Sequence, residues 1–526
     1  MKPIFPFLLN IFKILSLVFT TTIFSQTVSY DSIPAFYQLY ARNKTDNDSA
    51  IVTVKGTVDD MIKYDSIIVE IDTNNVLWKK ESQFLNYNEG TASFLMKPKI
   101  YADTVEFSFE IKFKSDTIVT SDTMIDKIVC GDVFLIQGQS NALAYDPVFF
   151  KPYQLEWVRS FGTMTDKDGV DINRNTTTAT DTTWGLARAD LLYSHLSVGI
   201  TGLRLGYLIS QTYGIPVCII NGAAGGTEIK KHLRNDFDHD DLDTIYGRLL
   251  YRAIKASVAN KVSAIFWWQG EGNTGGNTGA NNYYKRFPVI RTAWRENFVG
   301  IEKIYTAQLH VGSGATADRN GARGANFLRE YQRILALNDP DTEIMSANDI
   351  GGFSTDFTHF TATGYKIIGD RIFGQIRRDF YGYEDTEDLD PPDISRAYFT
   401  DEKRNVLVLE FDNSTSLFWQ KDTTINRTKR FMKDYFYLHT LTGVDSFVVK
   451  NGQILNGNLL RLELSGSSQA ESVSYLPVSY YNRESGSASL YEGPWLRNSK
   501  DIPTLSFYKF PISSFSQSKG LNYNQN

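Results

Sequence analysis

Four short stretches carry residue types able to do chemistry: GQSN (138–141), NGAAGGTEI (221–229), FWWQGEGN (266–273) and STDFTHFTATGY (354–365). The first three adjoin apolar runs that read as buried strands, and the fourth opens a helix. Ser140 lies just past VFLIQ (133–137), and a residue beyond the carboxyl end of a buried strand sits where open α/β sheets hold their ligands. It is there as a nucleophile or as the cap of a following helix, a task serines often perform. Asp356 and His359 stand three residues apart ahead of a helix. A turn at that spacing brings the carboxylate to one imidazole nitrogen while the other faces outward, the orienting pair a nucleophilic serine needs. The chain has six histidines, at 195, 232, 239, 310, 359 and 439, and a lone histidine is otherwise a structural residue.

The two middle stretches offer hydrogen-bond donors. Gly225 and Gly226 allow backbone N–H groups to approach a ligand closely. A plain turn or a phosphate loop are the rival readings, although neither G-x-x-x-x-G-K-[ST] nor G-x-G-x-x-G occurs there. In the third stretch the amide of Gln269 or Asn273 is placed to donate to an oxyanion, and Glu271 to pair with or position a neighbour. Trp267 and Trp268 read equally well as core packing. Gln139 and Asn141 flank the serine and line the same place.

The elements that must position these residues follow from hydrophobic rhythm. From 128 to about 385, strand candidates VFLIQ (133–137), VCIIN (217–221), AIFWWQ (264–269), KIYTAQL (303–309) and EIMSA (343–347) alternate with helical stretches at 203–214, 244–260, 283–297, 325–338 and 363–380. That alternation predicts βαβ units, hence a parallel sheet covered by helices on both faces. The chemistry runs in the order Ser, Gly, amide, Asp-x-x-His. This differs from the G-x-S-x-G hydrolases: Ala142 stands where the last glycine would be, and the serine follows the first strand of its sheet.

Together, GQSN, the NGAAGG turn, WWQGEGN and the D-x-x-H loop resemble the SGNH (GDSL-like) hydrolases, in their sialate O-acetylesterase and acetylxylan esterase branch. The resemblance covers about 128–380, and it implies a flavodoxin-like α/β/α fold and a metal-free, cofactor-free serine esterase acting on O-acetylated carbohydrate. Carried over by position, Ser140 is the nucleophile, His359 the base and Asp356 its orienting acid. The implied oxyanion donors are the Ser140 N–H, the Gly225 or Gly226 N–H and an amide of the third block, Gln269 being favoured over Asn273.

Flanking regions read differently. Residues 27–127 alternate apolar and polar positions between turn signals, as a β-sandwich does. After PPD (391–393), residues 391–526 return to alternation, with Asn451–Gly452 as a hairpin signal. The expected organisation is a signal peptide over 1–25, a β-sandwich over 27–127, the esterase over 128–385 and a C-terminal β domain. The start, MKPIFPFLLNIFKILSLVFTTTIFSQ, has the charged opening and apolar stretch of a secretory leader, pointing to a periplasmic or secreted protein with no membrane span in the mature chain. A chain of 526 residues at 42% hydrophobic and a formal charge of −6 has no electrostatic footprint for nucleic acid. The two cysteines exclude a disulfide-rich scaffold, and the strand reading sets Cys130 and Cys218 at different heights, against pairing. DFDHDDLD (236–243) reads as acids favouring a helix start, with calcium as the rival. A catalytically inactive glycan-binding or adhesion protein, and a lipase or thioesterase of the same superfamily, are the other functions the composition allows. Oligomeric state has no signature in the sequence.

Overall fold

The computed structural model describes residues 28–59, 64–148, 155–311, 319–351, 354, 358–412, 416–425, 428–476 and 493–513. The leader reading over 1–25 and the Asp356 assignment both lie outside the described residues. Among those described, no helix is long and apolar enough to cross a membrane.

The central element is a strand of 21 residues, β1 (Ile118–Gly138). Its first part pairs antiparallel with Phe107–Ser115 and is exposed over residues 118–122. From Ile128 onward it is buried throughout, because its second part runs between two parallel neighbours. These are β3 (Val217–Asn221) and β4 (Ala264–Trp268). Beyond β3 comes β2 (Val158–Phe161), and beyond β4 come β5 (Lys303–Gln308) and β6 (Thr342–Ser346), all parallel. The order is 2-3-1-4-5-6, and the all-apolar runs expected of doubly covered strands occupy its centre.

The helices are α1 (Ser140–Leu143), α2 (Gly199–Tyr213), α3 (Ile245–Lys255), α4 (Gly276–Asn297), α5 (Arg319–Leu337) and α6 (Ala362–Phe380). A side chain added at Gly202 of α2 would meet Ile136 Cδ1 at 3.1 Å, whereas Trp294 of α4 donates to Gln137 Oε1 at 2.8 Å. Successive strand residues point to opposite faces, so α2 and α4 cover opposite sides of the sheet. Helix α6 packs with α2, and α5 with α4. The core between these layers holds Ile136, Ile219, Ile265, Trp267, Trp268 and Ile304, each almost wholly buried. The stretch between α1 and α2 carried no clear periodicity in the sequence. It adds β2 and an antiparallel edge strand, Trp184–Leu186.

The N-terminal region folds as two antiparallel sheets about a shared core that includes Val54, Val69, Phe94, Phe107, Phe109 and Ile111. It is continuous with the central parallel sheet through β1, and Leu39–Ala41 pairs parallel with Val129–Gly131. The C-terminal region has a separate core, including Leu409, Leu462, Val473 and Phe507, and is bound to the central region by Gln308 Nε2 donating to Ser506 O at 2.8 Å and by the Arg333–Asp393 ion pair at 3.0 Å. One expectation is corrected here. Asn451 and Gly452 lie within the strand Val449–Leu455, with Gly452 packed under the Trp419 ring. The hairpin turns instead at the next Asn-Gly pair, in the loop 456–458 between paired Leu455 and Leu459, where Asn456 and Gly457 have φ 49° and 79°.

Cys130 and Cys218 are both free and buried. Cys218 is level with Val133, three residues along β1 from Cys130, which is the height difference the strand reading implied.

Candidate active site

Gly138 ends β1 at φ +141°, and a Cβ there would stand 2.0 Å from the Trp268 carbonyl oxygen. Only glycine lets β1 and β4 come this close at their carboxyl ends, and the next amide, Gln139 N, donates to that same carbonyl at 2.9 Å. Ser140 follows as the first residue of α1, partly exposed, with buried Gln139 and Asn141 on either side.

Those two amides join the motifs into one body. Gln139 Oε1 accepts from Gln269 Nε2 at 3.1 Å, Gly270 N at 3.2 Å and Gly272 N at 3.0 Å. Asn141 Nδ2 donates to Glu271 Oε1 at 2.8 Å and to Thr358 O at 3.1 Å, while its Oδ1 accepts from Tyr365 Oη at 3.1 Å. Asn141 therefore ties the Ser140 block both to the third block and to the residue preceding His359. Asp146 adds a further tie, accepting from Ala362 N at the start of α6 at 2.7 Å. In the second block, Asn221 Nδ2 donates to Ala142 O at 2.9 Å and Ala224 N to Gly138 O at 2.9 Å.

Glu271 also receives Trp268 Nε1 at 2.8 Å, so this tryptophan does more than pack. The second carboxylate oxygen of Glu271 is buried with no hydrogen-bond partner among the described residues. Burial pushes the Glu271 carboxyl above the usual carboxylate range, opposed by the Asn141 and Trp268 donors and by the charge of His359. Of the other histidines, His232 is buried and pushed down to about 3, and His439 lies in the C-terminal core at about 4. His195 pairs with Asp181 at 2.6 Å, and His239 meets the Asn297 amide at 3.0 Å.

The expected oxyanion donors divide. A Cβ at Gly225 would stand 3.8 Å from Ser140 Cβ, so this glycine is beside Ser140. Its N–H, however, donates to Tyr193 Oη at 2.7 Å. Gly226 is exposed at φ +66° with open space around it. Gln269 differs from expectation. Its Nε2 faces three acceptors, Gln139 Oε1, Thr227 O and Asn273 Oδ1 at 2.8–3.1 Å, and the residue is 1% exposed. With two protons and three inward acceptors, this amide braces the third block and has none to spare for a substrate. Asn273 donates one Nδ2 proton to Gly279 O at 3.2 Å and accepts at Oδ1 from Ile229 N at 2.9 Å. Sequence reasoning missed Tyr193, Asp146 and Tyr365. Tyr193 in particular sits in an irregular segment where periodicity has nothing to report.

The acidic segment at 236–243 is taken up by local structure. Asp241 Oδ1 accepts from Asp243 N at 2.9 Å, Arg234 pairs with Asp236 at 2.8 Å, and Thr244 caps α3 by accepting from Gly247 N at 2.9 Å.

Residues 130–378 match the family model described as carbohydrate esterase, sialic acid-specific acetylesterase, the stretch that holds all four motifs. No match is found among the curated proteins. Of solved structures, a carbohydrate acetylesterase from Xanthomonas citri superposes with a TM-score of 0.56 at 18% identity, covering 91% of this chain and 99% of its own. A protein from Arabidopsis thaliana gives 0.37 at 17% identity, over 48% of this chain and 99% of its own. A family two carbohydrate esterase from Clostridium thermocellum, solved with cellohexaose, gives 0.28 at 8% identity, over 68% and 100%.

Proposed function

We propose that this protein is an exported carbohydrate O-acetylesterase with a flavodoxin-like SGNH fold, working through an acyl-enzyme on Ser140. The observation that carries the reading is the pair of amides, Gln139 and Asn141, that bonds the ends of three chain segments around one partly exposed serine. Such bracing holds reacting groups in a fixed geometry, which is where much of an enzyme's rate advantage originates.

The steps follow from the parts. His359 takes the Ser140 proton as Oγ attacks the acetyl carbonyl, and the carbonyl electron pair moves onto oxygen. The Ser140 N–H, as the first amide of α1, and the glycine pair at 225–226 are the backbone groups nearest that charge. The tetrahedral adduct collapses, the sugar hydroxyl leaves with the proton held by His359, and water then releases acetate by the reverse sequence. Asp356 is assigned as the acid that orients His359. Glu271, bonded to Asn141 and Trp268, braces the block beside the serine. The substrates proposed are O-acetylated sialic acid or plant-type glycans, reached outside the cytoplasm after removal of the leader over 1–25.

The test is acetate release by the full chain from p-nitrophenyl acetate, acetylated xylan and O-acetylated sialic acid, beside Ser140→Ala. Activity that vanishes in the variant supports the reading, and the preferred substrate names the glycan. Activity surviving in the variant refutes Ser140. A folded but inert parent that still binds glycans would make it a binding protein, and preference for long acyl chains would make it a lipase.

A further inference from the structure

The committed amide of Gln269 leaves the oxyanion pocket without the side-chain donor expected there, and a different group stands in its place. We propose that the Tyr193 hydroxyl donates a hydrogen bond to the oxyanion formed on Ser140, taking the part expected of the third-block amide. The proposal rests on the esterase reading above and adds a residue to it.

Four observations point to Tyr193. Its Oη accepts the Gly225 N–H at 2.7 Å, and a Cβ at Gly225 would lie 3.0 Å from that oxygen and 3.8 Å from Ser140 Cβ. The phenol and the nucleophile therefore adjoin the same glycine. While the oxygen accepts from Gly225, no acceptor for the phenolic proton stands among the described residues, so that proton is available to an incoming carbonyl. Of the amides around the serine, Gln269 is engaged as described, and Asn141 with Glu271 and Thr358. Finally, Tyr193 has φ +45°, a conformation bulky residues seldom adopt and one that concentrates at functional sites. Its carbonyl is held there by Ile172 N at 2.7 Å.

The chemistry is hydrogen bonding alone. As the Ser140 Oγ–C bond forms, the carbonyl π pair becomes a lone pair on oxygen. Gly225 N–H turns from the phenol to this oxygen, and Tyr193 O–H donates to it. The phenolic proton stays on tyrosine, since burial raises the Tyr193 hydroxyl above its ordinary range, and on collapse of the adduct the Gly225 N–H donates again to Tyr193 Oη. In the resting state the phenol satisfies the Gly225 N–H that would otherwise wait unpaired beside the serine.

The experiment is Tyr193→Phe in the full chain, which keeps the ring and removes only the hydroxyl. Active sites are counted by titration with paraoxon, and turnover of p-nitrophenyl acetate is expressed per reactive site. Losing one oxyanion donor typically lowers turnover by about 10²–10³. The expectation is a fall of that order in kcat with KM changed less than about threefold and the melting temperature nearly unchanged. Methylboronic acid, whose tetrahedral adduct on serine mimics the charged intermediate, should lose affinity by a similar factor. Unchanged or faster turnover in Tyr193→Phe, with Ser140→Ala inert, overturns the role of Tyr193 and leaves the esterase reading intact. A KM increase alone also overturns it, because that is the mark of ground-state binding. A folded wild-type chain that releases no acetate overturns the esterase reading, and this role with it.

Discussion

Replacing Asn141 with alanine should damage stability and catalysis together. The side chain is 1% exposed and makes three hydrogen bonds, one of them to the Glu271 carboxyl group. A bond to a charged acceptor contributes about 1.5–3 kcal/mol and each neutral one about 1 kcal/mol, so the full loss is about 3–5 kcal/mol. Glu271 is only partly buried by exposed area, and water recovers some of this, which places the expected cost near 3 kcal/mol. At about 2–4 °C per kcal/mol for a region of this size, the melting temperature should fall by about 6–12 °C. The second consequence concerns His359, whose preceding residue loses its anchor when the Asn141–Thr358 bond goes. A shift of about 1 Å in a catalytic group can cost about 10²-fold in rate, so turnover of p-nitrophenyl acetate should drop by at least tenfold even well below the melting transition. Tyr365→Phe removes only one of the three bonds and should cost about 1 kcal/mol with turnover within about threefold of the parent. An Asn141→Ala protein that melts and turns over like the parent would refute the claim that this amide holds the site together.

Three other outcomes are expected. Glu271→Gln keeps the oxygen that accepts from Asn141 and Trp268 but deletes a buried charge; because burial raises this carboxyl above its unfolded value, the native glutamate adds stability at acid pH that is lost as pH rises through its folded pKa. The variant should therefore melt no lower than the parent at pH 8, while kcat falls about tenfold or more, and a lower melting point at pH 8 would contradict this. His439 is pushed down to about 4 by burial, so the neutral form supports folding and stability declines as pH falls from about 6.5 towards 4; His439→Gln, followed by thermal melts across that range, should flatten this dependence. Both thiols are buried and pushed up to about 12, so a thiol reagent at pH 8 should count about none in the native protein and two after denaturation, and fast native labelling would contradict the burial of Cys130 and Cys218.

The parallel sheet was legible because its strands are buried on both faces and their apolar runs are uninterrupted, as in VCIIN and AIFWW. Residues packed that way have no alternative to being apolar. The strand Val76–Phe84 was not legible: it is an edge strand with exposed Val76, Leu77 and Trp78 followed by charges, so its pattern answers to solvent rather than to a core. The hairpin at Asn456–Gly457 shows a different limit, since two Asn-Gly pairs five residues apart carry the same local preference and packing against Trp419 selects between them. Within the site, residue types and spacing marked Ser140, His359 and Glu271. The partners of Gln139 and Asn141 lie 130 to 224 residues away, and no local pattern records such a distance. Gln269 is the donor that the resemblance of the Q-G-E-G-N block implies. Which way an amide turns is decided by its acceptors, and Gln139, Thr227 and Asn273 reach it from separate segments.

The central claim is that Ser140 is the nucleophile, and the most direct measurement is the intact mass of the full chain after reaction with paraoxon, with peptide mapping of the adduct. The account predicts one diethylphosphoryl group per chain on Ser140, loss of acetate release in step with its formation, and no adduct in Ser140→Ala. A stoichiometric adduct on another serine, or an active protein that paraoxon neither labels nor inhibits, would contradict it.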